Sequence, residues 1–410
     1  MYINEEKVKE IIEKTAYTRT SGSNKELECA LYIKSICNEL GLDAVLEEFP
    51  VRTYKEKKAS LTVDGRRVLC KSWHGTGSEK VGGELYFLEG DDEVSLSGCK
   101  DKIVLCVKTF KDFYNTLYRY GAKAIITYSG NFHHAYKDVD LKIFDSVKDE
   151  NNNLPCVNIN VKDAFNIIKS GCRYAEIDVL IKQSTGKSHN LYLDIKGKSE
   201  KSVVVSAHYD STRLSKGSYD NMSSCVALLY LADYFKNTKP LHTLRLLWCG
   251  SEEAGLVGSR AYCKYHADDL KNTILNINLD MLGCVMGSFT CFSCADESME
   301  SYMKHLCLKE KFASGVTLAI RSSDSNSFVY SGVPAVSFAR YGACDTALIH
   351  TRYDTPETIS FSQLVKDCSF IACFTSNAVN STDGFPEKVL ICDKIKKDVD
   401  AYFKNKLDIL

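Results

Sequence analysis

The chain has 410 residues, more than one hydrophobic core usually takes, so two domains are expected. Its apolar fraction of 44% and charged fraction of 26% exclude a fibrous, collagen-like or wholly disordered chain. A net charge of −1 gives no global pull toward nucleic acid or an acidic membrane, and neither is expected as a partner.

In chain order, MYINEEKVKEIIEKTA is charged and amphipathic. It carries no basic stretch followed by an apolar one, and no segment of the chain approaches the roughly eighteen apolar residues of a membrane span. A cytoplasmic location is therefore expected. The eighteen cysteines are scattered without a tight framework and read as reduced core residues. SGSNKELECALYIKSICNELG predicts a helix. Ser23 caps it, Glu26 three residues on completes a capping box, and Leu27, Ala30, Leu31, Ile36 and Leu40 recur at helical spacing before Gly41 stops it. AVLEEFPV follows as a strand.

From residue 53 to 186 short strands alternate with Gly/Asp turns: ASLTVDGRRVL, GGELYFLEGDDE and DKIVLCVK. The amphipathic helix TFKDFYNTLYRYGA, the buried strand KAIITY and the strand–helix pair LPCVNINVKDAFNIIKSG complete it. The polar stretch FHHAYKDVDLKIFDSVKDENNN is expected to be a surface loop, and its His133 and His134 lack the accompanying Cys or carboxylate pattern of a metal site. After residue 187 strands and helices alternate: NLYLDIKG, SVVVSAHYD, NMSSCVALLYLADYF, TLRLLWC, LVGSRAYCKYH and TILNINLD. Cys291 and Cys294 form a C-x-x-C without a second pair, which reads as alternate faces of a strand. EKVLICDKIKKDVDAYFKNKLDIL is a terminal amphipathic segment. Near-continuous apolar strands between amphipathic helices predict an α/β fold with a mixed, centrally parallel sheet flanked by helices. Residues 1–52 and 187–410 are expected to form one discontinuous domain, and 53–186 a smaller, β-rich α+β insertion.

In such sheets the ligand crevice lies at the carboxyl ends of the strands. There the sequence puts His208 and Asp210 after SVVVSA, Glu252 and Glu253 after TLRLLWC, and Asp280 after TILNINL. Asp220 precedes a helix, and His350 and Asp354 come later. Each alone has an ordinary reading: a satisfied structural histidine, a helix cap, a solvated pair of acids. Gathered at one sheet edge they would repel one another unless cations neutralised them. Oxygen and imidazole donors suit zinc, with cobalt or manganese as substitutes.

AHYDST, GSYDNMSS, GSEEAGLVGSRAY, NLDMLG and IHTRYDT resemble, in the same order, the motifs of the M28 zinc aminopeptidases with two co-catalytic zincs. The resemblance covers residues 187 to about 382 and the N-terminal helix that begins RTSGS. It implies a zinc-exopeptidase fold and two Zn²⁺ that activate a water for removal of the N-terminal residue from peptides with a free amine. His208 and Asp280 would bind one zinc, Glu253 and His350 the other, and Asp220 both. Glu252 would be the general base, and Asp210 would orient the His208 ring. Asn221 stands where the family often has a cis peptide. The chain departs from the family at Ser224, where a glycine is usual and which Cys225 follows, at Ser323–Asp324–Ser325, where a histidine is missing, and at Ile349, where some relatives have a tyrosine. Tyr341 and Tyr353 are candidates to replace that tyrosine. Residues 53–186 weakly resemble a protease-associated (PA) domain. Alternatives from other classes are a single-zinc glutaminyl cyclase, a deacylase or amidohydrolase with the same metals, and a binding protein on a dead peptidase fold. Side-chain preference, peptide length and oligomeric state are left open.

Overall fold

The computed structural model describes residues 2–107, 111–130, 132, 141, 151–343, 346–382, 385–386 and 388–404. Helix α1 (Glu5–Lys14) starts where the Asn4 side chain accepts the Lys7 N–H at 3.0 Å. Helix α2 (Asn24–Glu39) starts at Ser23, whose hydroxyl accepts the Glu26 N–H at 3.1 Å. The other half of the expected capping box does not form. The Glu26 carboxylate turns into the protein because residue 26 lies on the buried face with Cys29, Ala30, Ile33, Ile36 and Cys37. Leu31, expected on that face, is exposed. Strand β1 (Val45–Val63) follows. The chain divides into two compact units, one of Met1–Val51 and Thr185–Tyr402 and one built on Arg52–Ser184.

In the second unit, β1 turns into β2 (Arg66–Val68). Asp64 and Gly65 both have positive φ, 42° and 77°, the requirement of a tight hairpin turn and the reason an Asp-Gly pair stands there. Then come β3 (Cys70–Ser72), β4 (Lys80–Phe87), α3 (Glu93–Ser97), β5 (Ile103–Cys106), α4 (Lys111–Arg119), β6 (Ala124–Ser129), β7 (Cys156–Asn160), α5 (Val161–Lys169) and β8 (Tyr174–Ile195). Strands β4, β5, β6 and β7 pair in parallel, with β8 antiparallel to β4 and β3 antiparallel to β7. Ile103, Leu105, Ile126 and Val157 face one core, while Val104, Ile125 and Cys156 face another, which explains the continuous apolar runs. The expected loop with His133 and His134 lies outside the described residues apart from Phe132, Leu141 and 151–153.

The first unit continues with β9 (Ser202–His208), α6 (Ser223–Phe235), β10 (Thr243–Cys249), α7 (Val257–Tyr265), α8 (Ala267–Leu270), β11 (Thr273–Leu279), β12 (Gly287–Cys294), α9 (Glu297–Lys309), β13 (Gly315–Leu318), α10 (Ser325–Tyr330), β14 (Ala335–Gly342), α11 (Phe361–Val379) and α12 (Asp393–Tyr402). Its sheet runs β13-β12-β14-β11-β9-β10 and then the end of β8. Strands β14, β11, β9 and β10 are parallel, whereas β12 pairs antiparallel to β14 and β8 antiparallel to β10. The sheet is therefore mixed and centrally parallel. Helix α6 is buried along nearly its whole length, in keeping with SSCVALLYLADYF having no polar stripe. The described cysteines are free and mostly buried, Cys291 and Cys294 among them in β12. No helix of the described residues is long and apolar enough to cross a membrane.

Candidate metal centre

Because β9, β10, β11 and β14 run the same way, their carboxyl ends open on one edge of the sheet. β9 ends at His208, with Asp210 two residues on. β10 is followed by a tight turn that holds Glu252 and Glu253, and β11 by Asp280. Asp220 lies in the buried turn Ser218–Met222 ahead of α6, and the Asp220–Asn221 peptide is cis. His350 belongs to the segment between β14 and α11.

These side chains meet in two groups, His208–Asp220–Asp280 and Asp220–Glu253–His350, within each of which the donor atoms lie within 4.8 Å of one another. Asp220 belongs to both. Its Oδ1 lies 3.2 Å from His208 Nε2, and its Oδ2 lies 3.2 Å from His350 Nε2. His208 Nε2 is 3.6 Å from Asp280 Oδ1, and His350 Nε2 is 3.1 Å from Glu253 Oε1. The other ring nitrogen of His208, Nδ1, faces Asp210 Oδ1 at 3.4 Å.

The electrostatics of the cluster favour positive charge. Burial opposes a charged ring at both histidines. The Glu252 charge and the Asp210, Asp220 and Asp280 contacts outweigh it at His208, and Glu253 and Asp220 do so at His350. Burial, then repulsion from Glu253, holds Glu252 well above the usual carboxylate range, against the pull of His208. Asp220 is buried too, yet its bonds to the two rings hold it low. Imidazole nitrogens and carboxylate oxygens crowded this closely, with one carboxylate offering a separate oxygen to each group, are a donor set that fits zinc.

The backbone around the cluster is tightly specified. Ser251 (φ 54°), Met281 (φ 63°) and His350 (φ 59°) are non-glycine residues in the left-handed region, each at or beside a cluster residue. Asp210 accepts the Glu252 N–H at 2.9 Å and the Glu253 N–H at 3.1 Å. Asn221 donates to Leu279 O and accepts from Met281 N, tying the Asp220 turn to the end of β11. Asp354 accepts the Tyr219 and Asp220 N–H groups at 2.7 and 3.2 Å. Ser323 donates to Asp280 Oδ2 at 2.6 Å.

The departures from the family pattern fall close by. Ser224 is fully buried, and the Cys225 thiol donates to His208 O at 3.0 Å. Asp324 is buried beside the cluster and pushed up to about 6, mainly by burial. Ile349 packs on the core. The Tyr341 hydroxyl is pushed up to about 12 by burial and by the charge of Asp280.

Three contributors are not legible as such in the sequence. Ser323 stands out only as a departure, and Arg19 only as the start of RTSGS. Arg19 is fully buried and donates to Thr15 O, Tyr17 O, Tyr209 O, Lys216 O and Gly217 O, stitching the N-terminal segment to the His208–Asp220 loop. Glu26 passes for a cap. The signal that singles it out is a carboxylate on the apolar face of its own helix.

A family model described as peptidase family M28 matches residues 190–372. Aminopeptidase YwaD of Bacillus subtilis is 27% identical over 277 residues, which is 65% of this chain and 58% of that protein. The probable lipoprotein aminopeptidase LpqL of Mycobacterium tuberculosis is 25% identical over 292 residues, 67% of this chain and 57% of that one. The chain thus spans little more than half the length of these curated relatives. The solved structure of BSAP, a zinc aminopeptidase from Bacillus subtilis, superimposes with a TM-score of 0.79 over 95% of this chain and 98% of that chain at 23% identity, so the fold is shared. Residues 190–372 are thus similar to peptidase family M28.

Proposed function

We propose that this chain is a zinc aminopeptidase that removes the N-terminal residue from peptides with a free amine. The observation that carries the reading is a pair of donor groups sharing Asp220, with the half-buried carboxyl of Glu252 beside them and outside both groups. His208, Asp280 and Asp220 would hold one zinc, and Glu253, His350 and Asp220 a second. Bound zinc supplies Lewis-acid polarisation of the scissile carbonyl and lowers the pKa of water. Glu252 is the proton carrier: its carboxylate takes the proton of the attacking water and delivers it to the departing amine nitrogen. Asp210 acts through His208 and through the two amides it accepts. The surrounding carboxylates attract a substrate's N-terminal ammonium, which favours removal of one residue over internal cleavage. Residues 53–186 are a PA-like insertion on their alternating short strands, and the location is cytoplasmic on the buried free cysteines.

The test is amino-acid release from short peptides, half of them N-terminally acetylated, with and without a chelator. Chelator-sensitive release from the free amines alone is expected, and no release from either half would overturn the reading. Glu252→Gln should lower kcat by roughly 100- to 10,000-fold with both zincs retained. Loss of zinc in that variant would mean that Glu252 and Glu253 exchange roles.

A further inference from the structure

The N–H groups of Ser251, Glu252 and Glu253 point at carboxylates from other parts of the chain. Asp210 takes those of Glu252 and Glu253. The Ser251 N–H goes to Glu26 Oε1 at 2.9 Å, and the Ser251 hydroxyl reaches the same oxygen at 3.0 Å. Ser188, in β8, also donates to Oε1, at 2.9 Å, while among the described residues Oε2 takes only the Gly22 N–H, at 2.6 Å. Glu26 is 1% exposed and lies on a helix more than 220 residues away in sequence from the turn it holds.

A buried carboxylate is costly unless its acceptor capacity is filled, and here three of the four donors converge on the oxygen that faces the turn. Ser251 needs that support. Its φ of 54° and ψ of 35° lie in the left-handed region, which a residue with a Cβ adopts at a cost. It is also the pivot between β10 and the paired glutamates: its conformation sets where the chain leaves the strand, and so where Glu252 and Glu253 point. Successive amide groups turned the same way form a concave anion-binding nest, and here the anions are supplied by the protein itself.

We propose that Glu26 is a positioning residue, a buried strut that fixes the Ser251 turn and thereby aims Glu252 at the reacting water and Glu253 at its metal. This rests on the aminopeptidase reading for its kinetic consequence but not for its effect on metal binding. The two oxygens have different duties. A glutamine can keep its carbonyl toward Ser251 and Ser188 and give up only the Gly22 bond. An aspartate keeps the charge but falls short by one methylene. A leucine keeps the volume and loses every bond.

The experiment uses the full chain with Glu26→Gln, Glu26→Asp and Glu26→Leu. It reads zinc retention against a competing chelator, kcat and KM on a free-amine peptide, and the thermal midpoint. Glu26→Leu should lower kcat on the order of 100-fold, the effect of misplacing a catalytic group by about 1 Å, with KM little changed and zinc lost more readily. Glu26→Gln should lose only a few-fold, and Glu26→Asp should be worse than Glu26→Gln despite its charge. A folded Glu26→Leu with wild-type kcat and zinc retention, or a lowered midpoint as its sole change, overturns the proposal. So does Glu26→Asp outperforming Glu26→Gln, a comparison that stands if the leucine variant does not fold. Should the wild type cleave no peptide, the aminopeptidase reading fails while zinc retention across the series still decides the role of Glu26.

Discussion

The two donor groups share Asp220 but are built differently. His208 and Asp280 close β9 and β11, parallel strands hydrogen-bonded to each other, so their spacing is set by the sheet. Glu253 and His350 come from a tight turn and from the long segment after β14. The His208 side chain is 2% exposed and that of His350 is 34% exposed. A site hung on strand ends is held with the precision of the sheet, whereas one that relies on a loop residue keeps a degree of freedom in the direction of its most exposed donor. With equivalent donor chemistry, the strand-borne group should bind its zinc more tightly, and the loop-borne group should be the one that loads last and empties first.

Asp220→Asn is the sharpest way to erase the distinction, because it removes an anionic oxygen from both groups together. Zinc affinity should fall at both positions and activity by more than ~100-fold, beyond what losing a partner behind a ligand usually costs. An Asp220→Asn protein with full zinc content and a normal rate would refute the shared role. The next effect is kinetic. Removal of zinc by a chelator should proceed in two phases, separated by roughly tenfold or more in rate, the scale on which supporting contacts tune metal affinity. His350→Ala should abolish the fast phase and leave the slow one, with about one zinc per chain retained. His208→Ala leaving the slow phase intact would reverse the assignment of rigid and mobile groups.

The contrast between strand and loop also explains what can be read from the sequence. The apolar runs SVVVSA, TLRLLWC and TILNINL end in their polar residues, and in parallel strands that period places His208, Glu252, Glu253 and Asp280 at one edge before any coordinates are known. His350 offers no such pattern. Only IHTRYDT and family resemblance identify it, because the course of a long connection depends on contacts that local periodicity does not encode. Glu26 misleads for a different reason. A Ser followed three residues later by Glu at a helix start satisfies the capping signature whichever way the acid points, and only the burial of Cys29, Ala30 and Ile33 on the same face turns it inward. Tertiary demand for an acceptor under Ser251 outweighs the local bond.

The smallest expected effect sharpens the comparison from the strand side. Asp280 Oδ2 accepts the Ser323 hydroxyl at 2.6 Å, and the same Ser323 oxygen accepts from Asn278 Nδ2 at 2.7 Å. Asn278 sits two residues before Asp280 on β11, so Ser323 ties the carboxylate back to its own strand. The bond leaves Oδ1 as the oxygen turned to His208. Ser323→Ala removes the tether without touching a donor atom. Zinc in the slow phase should be held about 10-fold less tightly, the lower end for losing a partner behind a ligand, and the fast phase should be unchanged. The outcome that would break the argument is a Ser323→Ala protein whose fast phase accelerates instead. Asp280 would then be communicating with the loop-borne group through Asp220 more strongly than with its own strand, and the two groups would have to be treated as one flexible unit.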